Sequence, residues 1–217
     1  EYGMLSEEKF FEKAEAFALY PTVDGDYYTY EELYNKIKAK QTDKDDKLVI
    51  LYASNAEEQH SYIQAAKAKD YEVLLLDSPI VSHLIQKLEG AKENVTFSRV
   101  DADHVDKLIK KEDQAISKLT EAEQKQLDDQ LKAVIPSEKF IIQLEAMDST
   151  ATPFMITQPE FMRRMKDMQQ TGGGGMFGMG NMPEIYNLVV NTNSELISEI
   201  LNTKTAKKRE RLINQSL

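Results

Sequence analysis

Two short apolar runs, KLVILYA at 47–53 and EVLLLD at 72–77, constrain the fold of this 217-residue chain more than any other feature. Neither alternates polar with apolar residues, so each reads as a strand buried on both faces, as in a parallel sheet covered by helices. Between them, Ser54 with Glu57 marks a helix start, and Tyr62, Ile63 and Ala66 give that helix an inner side. Ser78–Pro79 opens a further helix carrying Val81, Ile85 and Leu88 along one side, and VTFSRVD at 95–101 reads as a third, more exposed strand. Strand, helix, strand, helix, strand within about 55 residues implies parallel strands joined by helical crossovers.

Upstream, Glu7 to Ala18 is helix-like, Pro21 to Tyr30 is rich in turn formers, and Thr29 with Glu32 forms a capping box for a helix through Lys40. Downstream, Asp103 to about Val134 is helical in character, with Thr120 and Glu123 as a second capping box and Leu127, Leu131 and Val134 as its stripe. Pro136 ends it. FIIQLEAM (140–147) and TPFMIT (152–157) then read as strands joined by the turn Asp148–Ala151. A helix from Pro159 to Gln170, a glycine-rich segment and the strand EIYNLVVNT (184–192) follow, and Ser194 starts a final helix with Leu196, Ile197, Ile200 and Leu201. The expected fold class is α/β followed by α+β. A small parallel three-layer α/β subdomain occupies 1–112. A helical connection and a small three-stranded sheet with amphipathic helices occupy 113–217.

Composition removes whole classes of chemistry. The chain has no cysteine, which excludes disulfides, thiolate metal sites and a cysteine nucleophile. Its formal charge of −10 argues against a nucleic-acid binder, and no apolar run reaches the length of a membrane helix. The charge is uneven: 136–217 holds nine basic and nine acidic residues, so the deficit lies upstream. His60, His83 and His104 are far apart and begin no ligand motif, so no metal site is expected. No serine stands in a nucleophile elbow.

The glycine run TGGGGMFGMGNMP (171–183) lacks the Lys-Ser/Thr of a phosphate loop, and the first strand is followed by Ser54–Asn55 with no glycine fingerprint. The run reads as a mobile loop carrying large, adaptable apolar groups at Met176, Phe177, Met179 and Met182. Eight of the nine methionines lie between Met147 and Met182. On the adjoining helix, capped by Thr157 with Glu160, the residues Phe161, Met165 and Met168 share one stripe with Met162 at its edge. Arg163, Arg164, Lys166 and Asp167 take the remaining surface. Such a stripe either packs on the sheet or forms a soft surface for varied partners, and periodicity does not decide between the two.

Several dispersed blocks match a known family. YYTYEELYNKIK (27–38) with KLVILYASNAEEQHSYIQAAKAKDYEVLLLDSPI (47–80) resembles the small α/β subdomain that ends the middle region of the ninety-kilodalton heat-shock chaperones. TATPFMITQPEFMRRMKDM (150–168) and EIYNLVVNTNSELI (184–197) resemble the carboxy-terminal domain of that family, most closely its bacterial form. The resemblance implies a piece of an ATP-driven, homodimeric, cytoplasmic chaperone whose partners are unfolded client proteins, with no nucleic acid or membrane. ATP and Mg would bind the parent in a separate domain upstream of Glu1, so this segment is expected to hold no cofactor and perform no catalysis. The client-contacting helix of the family matches Pro159–Gln170. Phe161 and Met165 inherit that role; the methionine stripe and loop read above, not the resemblance, add Met162, Met168, Met176, Phe177 and Met179 as further contacts, the loop being longer than in the family and without precedent there. A second client contact of the family falls at His83 with Leu84, where histidine replaces the usual aromatic. The chain is expected to be a cut piece that stops near Leu217, ahead of the family's dimerisation helices. A competing reading is a small-ligand or nucleotide-binding α/β domain using the strand ends near Ser54 and Asp77; another is a plain structural spacer.

Overall fold

The computed structural model of the chain describes residues 2–111, 116–171 and 185–217, the side chains of 169–171 excepted. Two compact units are present. One comprises 1–112 with 160–180, the other 113–159 with 181–217.

The first unit opens with α1 (Tyr2–Ser6) and α2 (Glu8–Ala14), then a minimal hairpin of β1 (Tyr20–Pro21) and β2 (Tyr27–Tyr28). Gly25, at φ +87°, makes the hairpin turn, a conformation that costs a side chain dearly. Next come α3 (Tyr30–Gln41), β3 (Leu48–Ala53), α4 (His60–Ala68), β4 (Val73–Leu75), α5 (Val81–Ala91), β5 (Val95–Arg99) and α6 (Val105–Leu108). The expected capping box starts α3: the Thr29 side chain accepts from the Glu32 N–H, and Glu32 accepts from the Thr29 N–H. Strand β3 lies between β4 and β5 and is parallel to both, with Leu51 opposite Val73 and Ile50 opposite Phe97.

All six residues of β3 are buried, and its pleat divides them between two cores. Leu48, Ile50 and Tyr52 join Leu33, Ile37, Leu84, Ile85, Leu88 and Phe97. Val49, Leu51 and Ala53 join Ile63, Ala66, Val105, Leu108 and Ile109. The continuous apolar run is thus explained by a strand with helices on either side.

Two local expectations are corrected here. Ser54 and Glu57 do not cap α4, which begins at His60. Gln59 instead turns its buried carbonyl oxygen back to the N–H groups of Ser54 (2.8 Å) and Asn55 (3.0 Å), and Asn55 accepts from the N–H of Glu57 (3.0 Å). The long helix expected over 103–134 is not continuous either. His104 caps α6, accepting at Nδ1 from the Asp106 N–H, but Ile109 is extended and buried, and the Lys110 carbonyl accepts from the Lys44 N–H (2.7 Å). Those contacts hold the chain open after one turn.

The second unit contains α7 (Glu121–Lys132), β6 (Phe140–Glu145), β7 (Phe154–Thr157), β8 (Tyr186–Asn191), α9 (Glu195–Asn202) and α10 (Ala206–Ser216); between β7 and β8 in sequence runs α8 (Glu160–Thr171), which belongs to the first unit. The Thr120–Glu123 capping box of α7 is present. Strand β8 is central, parallel to β6 and antiparallel to β7, so the two strands adjacent in sequence do not pair with each other. Its Leu188 and Val190 pack with Leu127, Leu131, Ile197, Ile200 and Ile213. The expected single terminal helix is two, because Thr203 leaves the helical conformation and the Thr203 carbonyl accepts from Arg209 (3.1 Å).

A buried polar turn, Asn191 to Ser194, ties this unit together. Asn191 accepts from the N–H groups of Met147 (3.2 Å) and Asn193 (3.0 Å) and donates to the Asp148 carbonyl (2.7 Å). Asn193 donates to the carbonyls of Met147 (3.0 Å) and Ile116 (3.2 Å) and accepts from the Lys118 N–H (2.8 Å).

Candidate functional site

The candidate surface is built by α8, which sets two basic groups between two acidic ones at helical spacing: Glu160, Arg163, Arg164 and Asp167 stand at i, i+3, i+4 and i+7. This face is turned inward. Arg163 is only 3% exposed, and its guanidinium lies 5.5 Å from the Tyr52 ring centroid while donating to the Tyr52 hydroxyl. One Glu160 oxygen accepts from Tyr52 (3.0 Å), Arg163 (2.7 Å) and Arg164 (2.7 Å), and the other from the Arg99 N–H (3.3 Å). Arg164 reaches past the helix to Glu89 on α5, its Nη1 and Nη2 donating to Oε2 (2.7 Å) and Oε1 (3.1 Å), and Nη2 also donates to the Phe97 carbonyl (2.6 Å). Asp167 accepts from Arg163 (2.5 Å) and from the Ser82 hydroxyl (3.1 Å).

Electrostatics follow from this geometry. Burial pushes the Glu160 carboxyl upward, but the Arg163 and Arg164 charges and their hydrogen bonds outweigh it and hold the group below the usual carboxylate range. Burial, reinforced by the Glu160 charge, raises the Tyr52 hydroxyl well above its ordinary value. The network therefore keeps a charged carboxylate, two charged guanidinia and a neutral phenol together.

With the charged face docked, the apolar face is what remains outward. Phe161 is 71% exposed, and Met162, Met165 and Met168 are half-buried. Within the first unit Phe161 stands open, while the three methionines are partly covered. The assignment of Arg163 to free surface is corrected, because that side chain is among the most buried on the helix. Thr157 does not cap α8. It ends β7 with a buried hydroxyl, while the Glu160 carboxylate is engaged with Tyr52 and the arginines.

Of the other expected contacts, His83 is half-buried on α5, and its Nδ1 is buried without a hydrogen-bond partner among the described residues. Leu84 is 6% exposed and packs in the first core, so it offers no contact surface. Met176, Phe177 and Met179 lie outside the described residues. Sequence reasoning passed over Tyr52, Glu89 and the docking role of the arginines. The Glu-x-x-Arg-Arg-x-x-Asp spacing was a readable sign of a self-paired polar face, whereas Glu89 carries no local signal. Among the described residues no cluster of three or more histidine or carboxylate groups could hold a metal ion. Nor is any described helix long and apolar enough to cross a membrane.

No family model matches the chain. Curated relatives do. The chain is 45% identical over 203 residues to chaperone protein HtpG of Bacteroides fragilis, a match covering 92% of this chain and 30% of that protein. It is 42% identical over 208 residues to chaperone protein HtpG of Bacteroides thetaiotaomicron (94% and 30% covered) and 40% identical over 204 residues to that of Porphyromonas gingivalis (93% and 30%). The chain thus spans about 30% of the length of the relatives it matches.

Proposed function

Because this chain belongs to the HtpG chaperones of the ninety-kilodalton heat-shock family, matching about 30% of a member's length, we propose that it is the chaperone segment that touches unfolded client proteins. The observation that carries this reading is the inverted packing of α8. A helix that buries its arginines and leaves Phe161 at 71% exposure spends its apolar face on something outside its own unit. Methionine suits the task, since its unbranched, polarisable side chain repacks against dissimilar apolar groups at low cost.

In this reading Phe161 and Met165 are the principal contacts, Met162 and Met168 extend them, and His83 is a secondary contact. Met176, Phe177 and Met179 would add a soft margin. The segment links a parallel α/β subdomain of the middle region to the carboxy-terminal domain of the parent. ATP and Mg belong to another domain of a homodimeric, cytoplasmic parent ATPase, and no catalysis occurs here.

The test is the double substitution Phe161→Ala with Met165→Ala. Affinity for an unfolded client should fall at least tenfold while the melting temperature falls by no more than about 5 °C, since Phe161 is exposed and Met165 only half-buried. A loss of several kcal/mol in stability would mean that the stripe is core, and the reading would fail.

A further inference from the structure

The docked state of α8 needs an explanation, because an amphipathic helix ordinarily gains by turning its apolar stripe inward. What opposes that here is a set of charge-assisted hydrogen bonds that only the charged face can make. Glu89 is central to it. Its Oε1 accepts from the Phe97 N–H (2.7 Å) and the Thr96 hydroxyl (3.2 Å), so β5 fixes the carboxylate independently of α8. Arg164 then meets that carboxylate with both terminal nitrogens, spends a further N–H on the Phe97 carbonyl and turns its Nε to Glu160. A planar fork meeting a fixed planar carboxylate defines the rotation of the helix about its axis.

We infer that Glu89 and Arg164 are positioning residues that set the roll of α8 and thereby hold Phe161 and Met165 outward. Neither touches the client. Both act through the helix, and the inference rests on α8 being the client-contacting element. With the fork broken, the inward charged face is left under-paired, and the stripe becomes the better face to bury.

Two substitutions test this, each made in the whole chain. Arg164→Met removes the fork; Glu89→Gln keeps the acceptor for the Phe97 N–H and loses the charge together with the Oε2 acceptor that Arg164 Nη1 uses. Because the chain has no cysteine, a single cysteine introduced as Phe161→Cys takes an environment-sensitive dye without competition. In the dye-labelled chain, either substitution should shift emission to the blue as the stripe turns inward. In unlabelled chains, affinity for fluorescent reduced, carboxymethylated α-lactalbumin should fall at least fivefold. Emission unchanged or shifted to the red in a variant of native circular dichroism would overturn the proposal, even if its melting temperature fell. Should Arg164→Met not fold, Glu89→Gln decides alone. A blue shift with lactalbumin affinity unchanged leaves the positioning role standing and removes the client reading, so the two claims fail separately.

Discussion

Asn191 shows how much one amide can hold. Its side chain satisfies the buried N–H groups of Met147 and Asn193 and donates to the carbonyl of the exposed Asp148, all within the second unit. Replacing it with alanine strands the two N–H groups, at roughly 1–2 kcal/mol each. Asn191→Ala should therefore cost about 3 kcal/mol and lower the transition of the second unit by roughly 10–20 °C in calorimetry. A drop under about 3 °C would show that ordered water replaces the amide. The sequence marks this spot only faintly. NTNS reads as a polar turn, but burial of all four residues depends on the segments around Ile116 and Met147 closing over it, and those lie about 45 to 75 positions away.

At the scale of elements, legibility follows the range of the forces involved. Both Thr-x-x-Glu capping boxes and the doubly buried β3 are local signals and appear where expected. The face that α8 presents is set by Tyr52, Glu89 and the Phe97 carbonyl, each more than sixty positions from their helix partners, and periodicity alone does not contain it. The break between α9 and α10 has no proline or glycine to announce it. The α8 contact also has a defined pH window. Glu160 titrates below its ordinary value in the folded chain, so it contributes stability that is complete above the unfolded value and lost as pH falls through the folded one. Tyr52 is raised, so its contribution is complete below its ordinary value and lost as pH rises through the folded one. A pair of spin labels, one on α8 and one on α5, should hold a constant distance from about pH 5 to about pH 9 and separate below about pH 4 and at strongly alkaline pH. A distance that first changes near neutrality would mean that groups other than Glu160 and Tyr52 govern the contact.

For the whole molecule, the informative fact is that the second unit is discontinuous in sequence. Its central strand β8 arrives only after the chain has contributed α8 to the other unit. Yet β7 ends where β8 begins: Thr157 pairs with Asn187 in an antiparallel ladder. Two strands so placed need no more than a two-residue turn to join them. Everything from Pro159 to Ile185 is thus dispensable for the sheet, if the core of Leu127, Leu131, Leu188, Val190, Ile197, Ile200 and Ile213 suffices to fold it. Joining Gln158 to Tyr186 through Asn-Gly, in a chain beginning at Ile116, should give a soluble protein with a single cooperative melting transition. That protein should have no affinity for an unfolded client, because α8 is gone. The same stretch cut after Pro159 should remain unfolded, since β6 and β7 would lack the strand that both pair with. A hairpin-closed version that fails to fold would show that the 159–185 stretch, α8 included, contributes to the second unit as well, and the docked position of its charged face would then need another cause.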